Sequence, residues 1–283
     1  MTPPHPPERH TPPVVQRLRL RYAKRGRLRF TSHRDFQRAL ERAIRRADVP
    51  IGFSAGFSPH PKISYAGAAP TGGASEAEYV ELGVTVPCDP EAVRAALDAA
   101  LPDGLDVLEV VVASGSNLAE RLEASHWQLV LPGVEQEVAD AATSAFLARD
   151  LIEVERMTKK GQRRFDVRGA VLRMGGVERG ATEVVEMCAI LSVVVRHSTP
   201  AVRPDDVLAG LHLVSGLEPP APPRATRLAQ GPWDEESGTV SDPLGPDRDA
   251  STEADSAAES AASASGAAGL GAVAAPPAGS VLS

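Results

Sequence analysis

Only two cysteines occur in the 283 residues, Cys88 and Cys188, a hundred positions apart. Without clustering they can form neither a zinc site nor an iron–sulfur cluster. A CxxxCxxC run is also missing, so the chain does not itself hold the cluster of a radical SAM enzyme. No apolar run approaches the length of a membrane span, and the N-terminus is Pro-rich and polar rather than a signal peptide. A cytoplasmic protein with no membrane association is expected. Phosphate-binding loop, dinucleotide fingerprint and nucleophile elbow are all lacking, and no cofactor is expected. Lysine is scarce, four against 26 arginines; this reads as coding bias rather than function.

What the chain does have is charge, unevenly placed. The net charge of −7 hides three regions. Residues 17–62 hold 13 basic and three acidic side chains, or +10; residues 63–216 offset this with −10; residues 217–283 add ten acids and three bases. The part expected to fold is therefore a charge dipole.

Residues 17–65 read RLRLRYAKRGRLRFTSHRDFQRALERAIRRADVPIGFSAGFSPHPKISY. Arg17, Arg19 and Arg21 alternate with Leu18, Leu20 and Tyr22, the period of a half-buried strand. A second alternation, Arg27 to Phe30, suggests a hairpin. A three-residue loop at Lys24-Arg25-Gly26 would pair Tyr22 with Leu28 and Leu20 with Phe30. It would set Arg21 against Arg29 on the outer face, a repulsion that a bound anion would relieve.

The next stretch predicts a helix. Ser32 is the N-cap, with Asp35 three residues on. Phe36, Ala39, Leu40, Ala43, Ile44 and Ala47 form an apolar stripe; Arg34, Arg38, Arg42 and Arg45 form a basic one, with Glu41 able to pair Arg45 at i+4. After it, two Gly-Phe-Ser units lead into Pro59-His60-Pro61-Lys62. Phe53 and Phe57 either stack on bases or anchor the loop to the core, while His60 and Lys62 can meet phosphate. A basic helix beside a basic hairpin points to a polyanion partner; a solvated helix face is the competing reading.

FTSHRDFQRALERAIRRADVPIGFSAGFSPHPKISYAGAAPTGGASEAEYVEL resembles the opening of the radical-SAM-associated bacterial family of unknown function, actinobacterial stand-alone type. The resemblance rests on the Ser-His-Arg-Asp of residues 32–35, the Arg-rich helix and the Phe-Ser-Pro-His-Pro of residues 57–61. It continues through Gly72, Glu76, Glu78 and Tyr79, with an echo at KKGQRRFDVR, and spans about residues 17–215. It implies a radical SAM enzyme encoded nearby, and in some members a ribonuclease of the E/G type, as partners. It implies no reaction.

The remaining pattern predicts an α+β fold. Residues 1–13 are expected to be disordered. Residues 14–115 read strand, helix, strand, strand, helix, strand, the order of a ferredoxin-like unit. Within them Ile51–Ser54, Ile63–Ala66, Glu78–Val86 and Leu105–Val112 are strand candidates, and Asp89 caps a helix with Pro90 at its first position. Residues 116–216 read as a second unit, incomplete or irregular for want of an eighth strand. It has strands at His126–Leu131 and Leu151–Arg156, a helix at Val134–Arg149 with Val138, Ala142, Ala145 and Phe146 inward, a long hairpin (Arg163–Met174 with Glu183–Val195) and a helix at Pro204–Val214. Residues 217–283, rich in Ala, Ser, Gly, Pro and acids, are expected to be a disordered tail.

The expected function is that of an RNA-binding accessory presenting structured RNA, tRNA or rRNA, to a radical SAM or RNA-processing partner. Candidate contacts are Arg19, Arg21, Arg29, Arg34, Arg38, Arg42, Arg45, Phe57, His60 and Lys62. Lys159 and Lys160 join them from a second basic segment, Arg156–Arg179, with eight bases and two acids. Two alternatives stand beside it. One is a protein adaptor for a radical SAM enzyme without RNA contact. The other is a metal-independent endoribonuclease using His33 and His60, with Lys62 or Ser58 nearby. Glu76, Glu78 and Glu81 could be metal ligands, but pairing with arginines is the plainer expectation.

Overall fold

The structure, a computed structural model, describes residues 11–158, 161–177, 188–253 and 256. The chain is α+β, as its pattern implies. The first half comprises β1 (Gln16–Lys24), α1 (His33–Arg46), β2 (Ile63–Ala66), β3 (Ala74–Val84), α2 (Pro90–Ala100) and β4 (Val107–Val112). A short α3 (Leu118–Arg121) leads into β5 (Ala124–Pro132), α4 (Gln136–Leu147), β6 (Glu153–Thr158), β7 (Gly161–Asp166), β8 (Val171–Gly176), β9 (Cys188–Arg196), α5 (Pro204–Ser215) and β10 (Arg224–Gly231). A small ribbon, β11 (Trp233–Asp234) and β12 (Thr239–Val240), follows.

β1 is central rather than an edge. It pairs antiparallel with β3 on one side and β4 on the other, Leu20 lying opposite both Val80 and Val110. Leu18, Leu20 and Tyr22 are buried against Phe36, Leu40, Ala43 and Ile44 of α1. The rings of Tyr22 and Phe36 stack at 4.2 Å, and Leu40 is 2% exposed. Ser32 Oγ accepts the Asp35 amide at 3.2 Å, so the helix begins at the expected cap.

With both edges of β1 occupied there is no place for the expected hairpin partner. Gly26 does take a left-handed conformation, φ 53°, but Gly26–Phe30 winds into a 3-10 turn. Phe30 is 58% exposed instead of lying over Leu20. Arg21 faces Tyr79 and Glu109, not Arg29, and the supposed like-charge contact is not built. Glu41 makes no ion pair with Arg45; Arg45 is exposed and α1 does not need the pair.

The two halves use one strand order. In the first, the sequence β4-β1-β3 is completed by β2 on β3; in the second it is β10-β5-β9-β8. Each places its fourth strand beside its first, then its third and second. β6 and β7 form a separate hairpin, so the expected long hairpin divides differently: β7 folds back on β6, and β9 pairs with β8. α4 turns Ala139, Ala142 and Phe146 inward. Val138, one position and therefore about 100° from Ala139, is exposed, against expectation.

The largest correction lies beyond residue 216. β10 is the missing strand, and it closes the sheet between the halves. It runs antiparallel to β5, with Ala225 opposite Leu129, and parallel to β3, with Arg227 opposite Ser75. RATRLAQG is short, weakly apolar and flanked by Pro-rich segments, so composition conceals it. Further on, Asp247 is fully buried between Arg19 and Arg121. Its carboxylate accepts from Arg19 Nη1 at 2.8 and 3.0 Å and from Arg121 Nη1 at 3.0 Å. Leu244 is buried beside it with Tyr79, Val111, Leu118 and Leu122. The segment thus covers the face of the first half opposite α1.

Truncation after residue 216 is therefore expected to abolish the cooperative thermal transition, measured by circular dichroism. Asp247→Ala, which leaves two buried guanidiniums without their carboxylate, should cost about 3–5 kcal/mol in denaturant unfolding. Leu40→Ala should cost about 2–5 kcal/mol. Survival of the 216-residue fragment with an unchanged melting temperature would show that β10 is dispensable.

Candidate nucleic-acid interface

Arg34, Arg38, Arg42 and Arg45 are spaced to share one side of α1, a row about 16 Å long at 1.5 Å per residue. All four are exposed. The seven arginines between residues 27 and 46 form no ion pair with any described carboxylate, whereas Arg17, Arg19, Arg21 and Arg25, just before them, all do. The +10 of the segment thus divides into a neutralised strand and an unneutralised turn and helix. Around the helix stand Phe30 and two loop aromatics, Phe53 and Phe57, the latter 63% exposed. Arg29 lies over the Phe30 ring at 4.5 Å, a cation–π contact that keeps the guanidinium at the surface.

The other candidates are scattered by the fold. Arg19 is buried, held by Glu81, Asp247 and the carbonyls of Ser114 and Ser116, and is not available to a phosphate. Its alternation with Leu18 and Leu20 suggested an outward side chain, but that face is covered by the chain beyond residue 240. Arg21 is half-buried, with Nε 3.8 Å from Glu109. His60 and Lys62 are exposed on the Phe-Ser loop, where the His60 amide donates to Ser54 Oγ at 3.0 Å. His33 sits in the first turn of α1, 3.1 Å from Gln37 Nε2 and edge-on to Tyr65. No hydrogen bond joins His33 to His60, Lys62 or Ser58 among the described residues, so no acid–base pair is assembled there. Lys159 and Lys160 lie outside the described residues.

The three candidate ligand carboxylates do not converge. Glu76 pairs with Arg25, Glu81 with Arg17 and Arg19, and Glu78 with Arg227. Among the described residues no three His, Cys, Asp or Glu side chains group as metal ligands.

Sequence reasoning missed the junction of the two halves. Arg227 of β10 is 4% exposed. It donates from Nη1 to the Gly67 carbonyl at 2.5 Å and to Glu78 Oε1 at 3.1 Å, and lies over the Trp127 ring at 4.8 Å. Lys24, also buried, donates to the Pro70 carbonyl at 3.2 Å, and burial lowers its pKa. Nearby, the His197 Nδ1–H donates to Leu122 O at 2.7 Å, leaving Nε2 to accept the Ser125 hydroxyl at 2.7 Å. The tautomer is set by the carbonyl. The lone tryptophan of β5 was the one visible hint of this region.

Residues 17–204 match a bacterial family described as uncharacterized protein conserved in bacteria (DUF2344). The chain belongs to this family. No curated protein matches it. Solved structures similar to this DUF2344 protein include a Cbf5-Nop10-Gar1 complex, with 12% identity over 84% of this chain and 56% of that one at a TM-score of 0.41. The chain therefore spans just over half of that neighbour's length. An unknown protein from Galdieria sulphuraria (12% identity, 75% and 98% coverage, TM-score 0.22) and DyPB from Rhodococcus jostii RHA1 (12%, 78% and 92%, 0.19) are also similar. At such TM-scores these likenesses carry no argument, and function rests on this chain's own residues. No helix among the described residues is long and apolar enough to cross a membrane.

The buried imidazoles make a testable electrostatic statement. Burial lowers the pKa of His126 and of His197 below the ordinary 6.5, with Arg173 and Arg227 respectively adding to the effect. The unfolded chain thus takes up protons at these positions before the folded one does, and stability falls as pH drops through and below about 6.5. Asp206, raised by burial, acts oppositely at lower pH, since there the folded state binds its proton first. The melting temperature is expected to be lower at pH 5.5 than at 7.5, and the difference to shrink in His126→Gln/His197→Gln. A midpoint independent of pH across this range, or an undiminished difference in the variant, would contradict neutral buried imidazoles.

Proposed function

We propose that this protein is an RNA-binding accessory that presents structured RNA, of the tRNA or rRNA kind, to a radical SAM or RNA-processing partner in the cytoplasm. The observation that carries the reading is the concentration of unpaired arginines on α1 and the preceding turn, flanked by exposed phenylalanines. A solvated helix face has no use for neighbouring exposed rings. A strand of nucleic acid uses both, since phosphates meet the guanidiniums and unpaired bases stack on the aromatics. The partner is inferred from the resemblance carried by the Ser-His-Arg-Asp and Phe-Ser-Pro-His-Pro residues. The reading also takes the halves as two ferredoxin-like units in tandem, supported by their shared strand order. It assigns no catalysis to His33 or His60, which have no acid–base partner among the described residues.

The test is salt dependence. Removing one arginine that meets a phosphate should reduce the slope of log affinity against log salt by roughly 0.7–0.9. Arg38→Ala/Arg42→Ala is expected to weaken RNA binding and flatten the slope without lowering the melting temperature, both side chains being exposed. Phe57→Ala should cost ~1–3 kcal/mol of binding and leave the slope unchanged. Failure of the parent protein to retain any structured RNA at low salt would overturn the proposal and favour a protein adaptor.

A further inference from the structure

The junction between the halves holds a cavity of about 310 Å³ whose walls come from both. Strand register builds one wall: Arg227 lies opposite Trp127, Gln230 opposite Ser125, and Ser125 opposite Val195. The other wall is the Gly67–Pro70 turn after β2 and the start of α5 at Arg203 and Pro204. Pro70 and Pro204 also line a second groove of about 560 Å³, which reaches Arg29 and Phe30. One continuous path therefore leads from the unpaired arginines to the buried Arg227.

The chemistry of this cavity is specific. It is mainly apolar, no carboxylate lines it, and three cations or imidazoles do: Arg203, Arg227 and His197. Two buried cations, Lys24 and Arg227, share a single buried carboxylate, Glu78, so the junction carries surplus positive charge. Buried charge is tolerated when it is compensated, and an anion arriving along the groove supplies the compensation. Arg227 Nε and Gln230 Oε1 are buried without a hydrogen-bond partner in the protein. One is a donor and the other an acceptor, the two kinds of group that a nucleobase edge presents. The volume lies at the low end of small-ligand sites, enough for one base but not for a stacked pair.

We propose that the cleft binds a single unstacked nucleotide, with the base beside Trp127 and Gln230 and the phosphate toward Arg203 and Arg29. This deepens the RNA-binding reading: the strand lies on the α1 face and one nucleotide turns into the junction.

The experiment uses the full chain carrying Trp233→Phe, so that Trp127 alone reports. AMP and UMP are titrated while indole fluorescence is followed, with inorganic phosphate as a parallel titration. The mononucleotides are expected to give saturable quenching that phosphate does not. Gln230→Ala should weaken it by up to about tenfold, the loss of one hydrogen bond. Val202→Phe, which fills the cavity from a partly buried wall position, should abolish it at an unchanged melting temperature. Both variants should lower RNA affinity without altering the salt slope. No saturable quenching, or an equal response to phosphate, would overturn the cleft proposal even where the α1 arginines still govern RNA binding. Saturable quenching lost in Val202→Phe, in a protein that retains no RNA, would sustain the cleft and overturn the accessory reading instead.

Discussion

Arg227 carries a full charge into the seam between the two halves, and much of the structure follows from accommodating it. A guanidinium at that depth needs carbonyl and carboxylate partners together with a ring to lie against. Gly67, Glu78 and Trp127 provide them, from the turn after β2, from β3 and from β5. Three separate elements are thereby held to one side chain. Because β10 pairs with β5 along its length and with β3 at its start, the same strand that brings the charge makes one sheet of two. Gly67 admits no side chain here: its φ is positive and a Cβ would fall 2.3 Å from Gln230 Oε1.

A second buried charge plays the matching part on the opposite face of the first half. Asp247 receives Arg19 and Arg121, so two basic residues are consumed internally. This changes the meaning of the basic segment. Arg17, Arg19, Arg21 and Arg25 satisfy carboxylates of the same fold, and the charge free to meet a partner begins only at Arg27. An electrostatic surface is a remainder after internal pairing, and net charge along a stretch overstates it. Here the remainder is confined to one turn and one helix, beside three exposed phenylalanines, which narrows both the partner's chemistry and its route toward the junction.

Local elements were legible where a single period and a cap decide them. Ser32 and the Phe36–Leu40–Ile44 spacing determine α1, and Asp89-Pro90 begins α2. Alternation over Leu18, Leu20 and Tyr22 determines that β1 is a strand with a buried face. These are interactions among residues within a turn or two of one another, so the chain specifies them without knowing its neighbours. The α+β class and the repetition of a strand–helix pattern follow from the same local information.

Partnership between elements is a different matter. Periodicity cannot tell an edge strand from a central one, and so it placed a hairpin at Gly26–Phe30 where β4 had already taken the edge. Composition cannot recognise a strand such as RATRLAQG, whose stability comes from ladders on both sides rather than from apolar side chains. Nor can spacing distinguish Arg19, buried on Asp247 some 228 positions away, from Arg38, exposed to solvent, since both sit in equally basic surroundings along the chain. The order of residues was enough to say which segments are helix or strand and which faces are apolar. Which arginines are spent inside, which remain outside, and where a cleft opens depend on contacts between residues far apart in the chain, which form only once the sheet is complete.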